Sequence, residues 1–373
     1  SGIITLAAAS KIEADSPGNS VIYVAQGADA VAAAAPPAEN DDSDLFGWEG
    51  GYVHPYIGLN AEYTDNLFNI AEEETASWIG RVSPGIWFSL PRTKQIPINI
   101  TPNNTAPGGL QSQIKDVLGT ERFQAYALGE LSYEAYSEAS EFDDYNGRLE
   151  GLFRYNLGVG LSLQVLDRYS YDQDRFEINT VARQKELEFA EDRFEEETGI
   201  AVDTDENVRR FESNILMATA DYTITEKVRL KGDFTNFFVD YESAINDFLD
   251  RTDNSAELYG YYNYSPKTAF FLEYRFIDVE YDNEPDDGRP SRDNEQQFWY
   301  GGIDWASTEK LAFGFKAGQQ FRKYSDDELA EDNDQDGLAL DFQSVYRWTE
   351  KTQFSLDLYR LSEESESAVA LDK

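Results

Sequence analysis

The sequence predicts an all-β protein, an antiparallel up-and-down transmembrane β-barrel of fourteen or more strands. Three observations predict it. Apolar and small residues recur at every second position over segments of about ten to fourteen residues. Those segments come in pairs, and a short polar turn repeats between the pairs. No stretch approaches the roughly 18 apolar residues that a membrane-spanning helix needs.

The opening residues have a different texture. Residues 1–45 are rich in Ala and Gly and hold Ala32-Ala33-Ala34-Ala35-Pro36-Pro37, then the acidic Asp41-Asp42-Ser43-Asp44. They read as an N-terminal extension and linker, with the barrel over 46–373. Alternation begins at Tyr52. The clearest strand sets Phe123, Ala125, Ala127, Gly129, Leu131 and Tyr133 on one face, with Gln124, Glu130, Ser132 and Glu134 between them. Leu230, Gly232, Phe234 and Phe238 alternate with Arg229, Lys231, Asp233 and Thr235 in the same way. So do Phe270, Leu272, Tyr274 and Phe276, and again Leu311, Phe313, Phe315 and Ala317. Thirteen strands are expected, at 52–63, 78–90, 122–137, 145–155, 159–171, 211–224, 228–241, 254–264, 268–281, 296–305, 311–324, 338–347 and 353–361.

Thr225-Glu226-Lys227, Ser265-Pro266-Lys267, Thr308-Glu309-Lys310 and Thr349-Glu350-Lys351 form a repeat whose lysines lie 40, 43 and 41 residues apart. Each period is one hairpin plus one short turn. The alternate connections, Glu242–Asp253, Asp282–Glu295 and Ser325–Gly337, are longer and acidic. Short Lys-containing periplasmic turns and long acidic outer loops are the layout of an outer-membrane barrel. A β-propeller repeats at a similar period but fits four short strands into it. A long sheet also has two unpaired edges, and in lipid closure is compulsory because no water satisfies them. Tyr155, Tyr169, Tyr171, Tyr241, Tyr264, Tyr281, Tyr324, Tyr346 and Trp348 sit near strand ends and are expected to form aromatic girdles.

Thirteen strands leave a puzzle. With the Lys turns periplasmic, the first and last strands both run outward, whereas bacterial single-chain barrels have an even number. The expectation is a missed strand or a chain lacking its closing C-terminal strands. The end Ala370-Leu371-Asp372-Lys373, which lacks an aromatic residue, favours the latter.

Composition narrows function. The 373 residues carry 71 Asp+Glu against 31 Lys+Arg, a net charge of −40, which repels phosphate and argues against nucleic acid. Cys is absent, so neither a disulfide framework nor a thiolate metal site is available, as suits an envelope protein. No secretory signal is visible at the start.

Glu62-Tyr63-Thr64-Asp65-Asn66-Leu67-Phe68, an early strand ending in aromatic-x-Asp-Asn-x-aromatic, resembles the β-barrel porins encoded with exopolysaccharide or capsule secretion genes. Ser265-Pro266-Lys267-Thr268, followed by Phe271-Leu272-Glu273-Tyr274-Arg275 and Val279-Glu280-Tyr281-Asp282, resembles a later hairpin of that family, as does Asp357-Leu358-Tyr359-Arg360. The resemblance covers about 50–361. It implies a bacterial outer-membrane location, a polysaccharide substrate and periplasmic secretion partners. Family members continue for several strands beyond this chain's end.

Inward-facing charges would set selectivity. The candidates are Arg148, Glu150, Arg154, Arg168, Arg229, Lys231, Asp233, Glu273, Arg275, Lys316 and Arg322. Salt-bridged wall packing is the competing role for most of them. Asp332, Asp334 and Asp336, followed by Gly337, open like a Ca²⁺ loop, but the twelfth position is Gln343 rather than Glu. A solvated acidic hairpin tip is the better reading, with weakly bound Ca²⁺ or Mg²⁺ in the acidic loops offsetting repulsion from lipopolysaccharide. No organic cofactor is expected. Residues 181–198 are helix-prone and read as a constriction or a solvated loop helix; residues 91–121, broken by four prolines, read as a docking or lumen segment.

The only His is His54, beside Pro55 and with no Ser nearby in sequence, so catalysis is not expected. The reading is a porin-like channel for polysaccharide export or passive diffusion. The alternatives are a closed structural barrel that anchors a surface assembly or a homo-oligomer, and a soluble secreted β-protein.

Overall fold

A computed structural model describes residues 3–10, 51–65, 67, 76–90, 122–140, 143–158, 160–174, 209–242, 247–282, 291–308, 310–325, 335–348 and 352–360. They form one sheet of fourteen strands: β1 (Ile3–Ser10), β2 (Val53–Thr64), β3 (Ser77–Leu90), β4 (Phe123–Tyr136), β5 (Asp144–Asn156), β6 (Leu161–Asp174), β7 (Arg209–Thr223), β8 (Val228–Tyr241), β9 (Arg251–Ser265), β10 (Thr268–Tyr281), β11 (Asn294–Trp305), β12 (Leu311–Tyr324), β13 (Gln335–Arg347) and β14 (Thr352–Arg360). From β2 to β14 each strand pairs with the next, always antiparallel. These thirteen correspond one for one to the predicted strands.

The fourteenth comes from the N-terminal segment. Ile3–Ser10 pairs antiparallel with β14, from Ile3 opposite Tyr359 to Ser10 opposite Thr352. β1 and β2 thus stand at the two ends of the sheet order. The Ala-rich and Pro-rich residues 11–50 lie outside the described residues, as do 91–121 and 181–198.

The short turns explain the Lys repeat. Thr225 Oγ1 accepts the N–H groups of Lys227 (3.2 Å) and Val228 (3.1 Å), and Thr308 Oγ1 accepts those of Lys310 (3.1 Å) and Leu311 (2.9 Å). Ser265 Oγ accepts the Lys267 N–H at 3.2 Å. The hydroxyl folds back on its own backbone and supplies the partner that a two- or three-residue turn lacks. Between β5 and β6 the turn instead uses Gly158 and Gly160 at φ 77° and 79°.

The strands are strongly tilted. One line of paired residues runs Gln319, Trp299, Tyr274, Leu258, Gly232, Ala220, Leu163, Tyr155, Phe123. It starts eight residues past the first residue of β12 and ends on the first residue of β4. The register therefore drifts by about one residue per strand, the stagger that a coiled, barrel-forming sheet requires.

The two faces differ in kind. On β10, Leu272 is 71% exposed while its neighbour Glu273 is 3% exposed. The outer face carries Phe270, Leu272, Tyr274 and Phe276, and the inner face carries Glu273 and Arg275. This polarity reverses toward the loop ends of β7 to β11. There the inner face holds Ile215, Phe237, Val239, Ile277, Val279 and Phe298, all buried, while Asn214, Asn236, Asn254, Asp278 and Glu295 face outward. An apolar cluster around Ile277 and Phe298 lies in this region, and a second runs from Trp87, Tyr126, Leu128 and Leu152 in the turn-side half of β3 to β5 across to Ile215, Phe237 and Val239. Three tyrosines assigned to girdles, Tyr241, Tyr281 and Tyr324, belong to this inner face. They share the parity of Asp233, Arg275 and Lys316, so the pleat turns them away from the outer belt.

Aromatic rings lie flat against inner-face glycines on the next strand. A Cβ on Gly302 would meet the Phe271 ring at 2.2 Å, and one on Gly318 would meet Trp299 O at 1.9 Å and the Tyr300 ring at 2.7 Å. Gly302→Ala and Gly318→Ala are each expected to cost about 1–3 kcal/mol through this overlap. Gly337→Ala, where a Cβ meets nothing within 4 Å, is expected to be near neutral. Urea denaturation of the folded protein in detergent checks all three.

Candidate functional site: the charged inner wall

The strand pleat puts all eleven predicted charged residues on one face. Arg148, Glu150 and Arg154 come from β5, Arg168 from β6, Arg229, Lys231 and Asp233 from β8, Glu273 and Arg275 from β10, and Lys316 and Arg322 from β12. Sheet pairing sorts them into two groups.

The first group spans β7 to β12. Paired positions run Asp221, Lys231, Tyr259, Glu273, Tyr300, and one rung on, Thr219, Asp233, Glu257, Arg275, Phe298. Arg275 Nε lies 3.0 Å from Glu257 and its Nη2 2.8 Å from Glu273. Lys316 Nζ reaches the second oxygen of Glu273 at 3.0 Å. Lys231 Nζ is 2.9 Å from Asp233, whose other oxygen accepts from Thr219 Oγ1 at 2.6 Å. Arg229 Nε binds both oxygens of Asp221 at 3.0 Å. Tyr259 Oη donates to Glu257. Each cation also stands over a ring: Arg229 over Tyr261, Lys231 over Tyr259, Lys316 over Tyr300 and Arg275 over Phe298, at 4.6 to 5.6 Å. Burial makes this pairing obligatory, since an unpaired charge in such a place costs several kcal/mol. Arg322, further along β12, donates to Gln296 at 3.5 Å.

The second group spans β2 to β6 and is wetter. Arg81 pairs with Glu134 at 2.9 Å and Arg148 with Glu130 at 3.5 Å, yet the two arginine side chains remain 36% and 38% exposed, against 4% for Arg275. Tyr56 Oη donates to Glu130 at 2.5 Å. Arg168 and Glu150 pair at 2.8 Å, and Arg154 Nε donates to Ser162 at 3.1 Å. Asn60 and Glu62 on β2 share this face and are exposed.

Several partners escaped the sequence reading, above all Glu257, Tyr259, Tyr261 and Tyr300. Their signal was available: they occupy the positions between Ala256, Leu258, Gly260 and Tyr262, and between Trp299 and Gly301. What was not available was which carboxylate each cation would meet. His54 stacks on Trp87, with ring centres 3.8 Å apart, and its Nε2 is bonded to Gly51 O at 2.8 Å. This is a packing role for the one histidine. Asp336 lies exposed on β13, Asp332 and Asp334 lie outside the described residues, and no group of potential metal ligands occurs among the described residues. No helix among the described residues is long and apolar enough to cross a membrane, which does not bear on strands.

No protein-family model matches the chain, and no curated protein matches it. Among solved structures it is similar to the COG4313 outer membrane channel from Pseudomonas putida F1, at 12% identity and TM-score 0.33 over 86% of this chain and 99% of the other. It is similar to OmpT, an outer membrane protein of Vibrio cholerae, at 11% identity and TM-score 0.35, again over 86% and 99%. A third likeness is to the KdgM porin in complex with disordered oligogalacturonate, at 11% identity and TM-score 0.24, over 59% of this chain and 93% of the other.

Two outcomes test the wall. Arg275→Met removes the cation between Glu257 and Glu273 and is expected to destabilise by about 3–5 kcal/mol in urea melts, because buried Glu257 loses its counter-charge and Glu273 keeps only Lys316. In the turn before β9, Asp250 is buried beside Asp240, Asp247 and Asp282, and loss of hydration pushes its carboxyl up to about 7 from the ordinary 3.8, although the Tyr241 N–H it accepts opposes this. The fold thus favours the protonated form. That stabilisation is full below about pH 4 and is lost as pH rises through about 7. Hydrogen exchange at the β8–β9 connection, corrected for intrinsic rates, should show protection falling between about pH 4 and about pH 7. Asp250→Asn should flatten the dependence.

Proposed function

We propose that the sheet closes into an outer-membrane β-barrel acting as a porin-like channel. The inside-out arrangement of its turn-side half carries this reading. Consecutive strands expose Leu258, Leu272, Trp299 and Phe315 while burying Glu257, Glu273, Asp304 and Lys316. In water this order is unfavourable by roughly 1.5–3 kcal/mol for each large apolar side chain left outside. Against acyl chains it is the order required. The even strand total and the drifting register support closure.

The water path follows the wall of β2 to β5. Ion pairs and flat rings seal the β8 to β12 side, whereas Asn60, Glu62, Arg81 and Arg148 keep exposed surface. Arg81 and Arg148, with Arg154 near the turn end, present cations along this path and favour an anionic solute. Export of an exopolysaccharide is the specific form that the family resemblance implies, and the inward arginines favour an acidic one. Weakly held Ca²⁺ or Mg²⁺ on the acidic connections, beside anionic lipopolysaccharide, belongs to the same proposal. A closed barrel serving as an anchor is the second reading, favoured by the sealed β8 to β12 wall.

Planar-bilayer recording separates them. The channel reading expects steady conductance, a shift of the reversal potential toward cations in Arg81→Gln with Arg148→Gln, and block by an acidic oligosaccharide. Folded protein that inserts without conductance supports the closed barrel. The natural absence of Cys allows a second readout: Glu62→Cys should react with a membrane-impermeant thiol reagent much faster than Gln320→Cys.

A further inference from the structure

The apolar belt does not have one height. On β9 to β11 the outward positions turn polar toward the loop end, at Asn254, Asp278 and Gln297. On β2 to β5 they stay apolar to the loop end: Tyr63, Trp78, Leu131, Tyr133, Tyr145 and Leu149 are all exposed there. Counted from the turn ends, this face rises two to four residues above Phe276, or roughly 5–10 Å at the tilt of a barrel. A tilted molecule does not explain it. Tilt would shift the belt and leave polar residues at the bottom of β3 to β5, but Phe88, Phe123 and Phe153 are exposed there. The belt on this side is longer, not displaced.

We infer that the loop-end part of the β3–β4 outer face binds a second copy of this chain. The inference rests on the membrane reading above. Three observations select this occupant. The outward positions of β2 to β5 carry no charge, whereas those of the other strands include Asp167, Glu212, Asp240, Asp278, Glu280 and Glu295. Two chains of net charge −40 therefore meet with least repulsion through this face. Insertion also holds both copies at the same depth, so the raised apolar part of one meets the raised part of the other, and neither faces water.

The face is also self-complementary. Gly80 is paired with Ala135 and Val82 with Tyr133 across β3 and β4. Large Trp78 and Tyr133 thus alternate with small Gly80 and Ala135 in a checkerboard. A Cβ on Gly80 would meet nothing within 4 Å, so a recess is open beside Trp78. A two-fold axis along the membrane normal, between β3 and β4, sets β3 of one copy against β4 of the other. Trp78 then faces Ala135 of the second copy, and Tyr133 faces the recess at Gly80, an isologous contact.

Cysteine cross-linking in native membranes tests this without background thiols. Tyr133→Cys is expected to give a disulfide dimer of twice the chain mass under mild oxidation. Asp278→Cys, at similar height on β10, should give none. Gly80→Trp, which fills the recess, should reduce the Tyr133→Cys dimer at least tenfold while the barrel still folds. Tyr133→Cys protein that stays single in the membrane, or joins only a different protein, overturns the inference and leaves the channel reading intact. Recovery in the aqueous phase without detergent would sink the membrane reading itself.

Discussion

Lateral hydrogen bonding is the constraint on which the rest of this molecule depends. Each strand between the two end strands spends its backbone donors and acceptors on its two neighbours, within the plane of the sheet. The faces are then left to side chains alone, and the two faces are free to differ completely. A helix in lipid must be apolar nearly all round, but a strand needs only every second residue. That is why a chain with 27% charged residues and a net charge of −40 can still present an oily exterior.

The charges that the outer face excludes have to go inward, where they are crowded. On β8 to β12 they are arranged so that Lys231, Arg275 and Lys316 each have a carboxylate and a ring. Such pairs add little net stability compared with apolar packing, but they penalise any slip in register, since a shift of one residue would bury unpaired charge. The rings lying over Gly302, Gly318 and Gly85 serve the same wall. They cover backbone that a glycine leaves bare.

Polarity along the strands reports where the surroundings change. In the turn-side half of β8 to β12 the outer face is oily and the inside polar; toward the loop ends of β7 to β11 the outside turns polar and the inside becomes an apolar core like that of a soluble sheet. The β2 to β5 sector does not make this switch. In the membrane reading proposed above, one continuous sheet meets three neighbourhoods: lipid, water and another copy of itself.

Strand positions, turn chemistry and the parity of the belt were legible in the sequence because each is local. Alternation at Phe270, Leu272 and Tyr274 needs only its own strand, and Thr225 caps Lys227 two residues away. All eleven charged candidates fall on the inner face for the same reason. The partners were not legible. Whether Arg275 meets Glu257 or Asp233, and whether Arg148 stays wet while Lys316 is sealed, depends on register between strands far apart in the chain. The inward turn of Tyr241, Tyr281 and Tyr324, the loop-end reversal and the pairing of Ile3–Ser10 with β14 are likewise products of assembly. A single strand carries the information for which side is oily, but only neighbours aligned by hydrogen bonds decide which charge meets which, and at what height the oily belt ends.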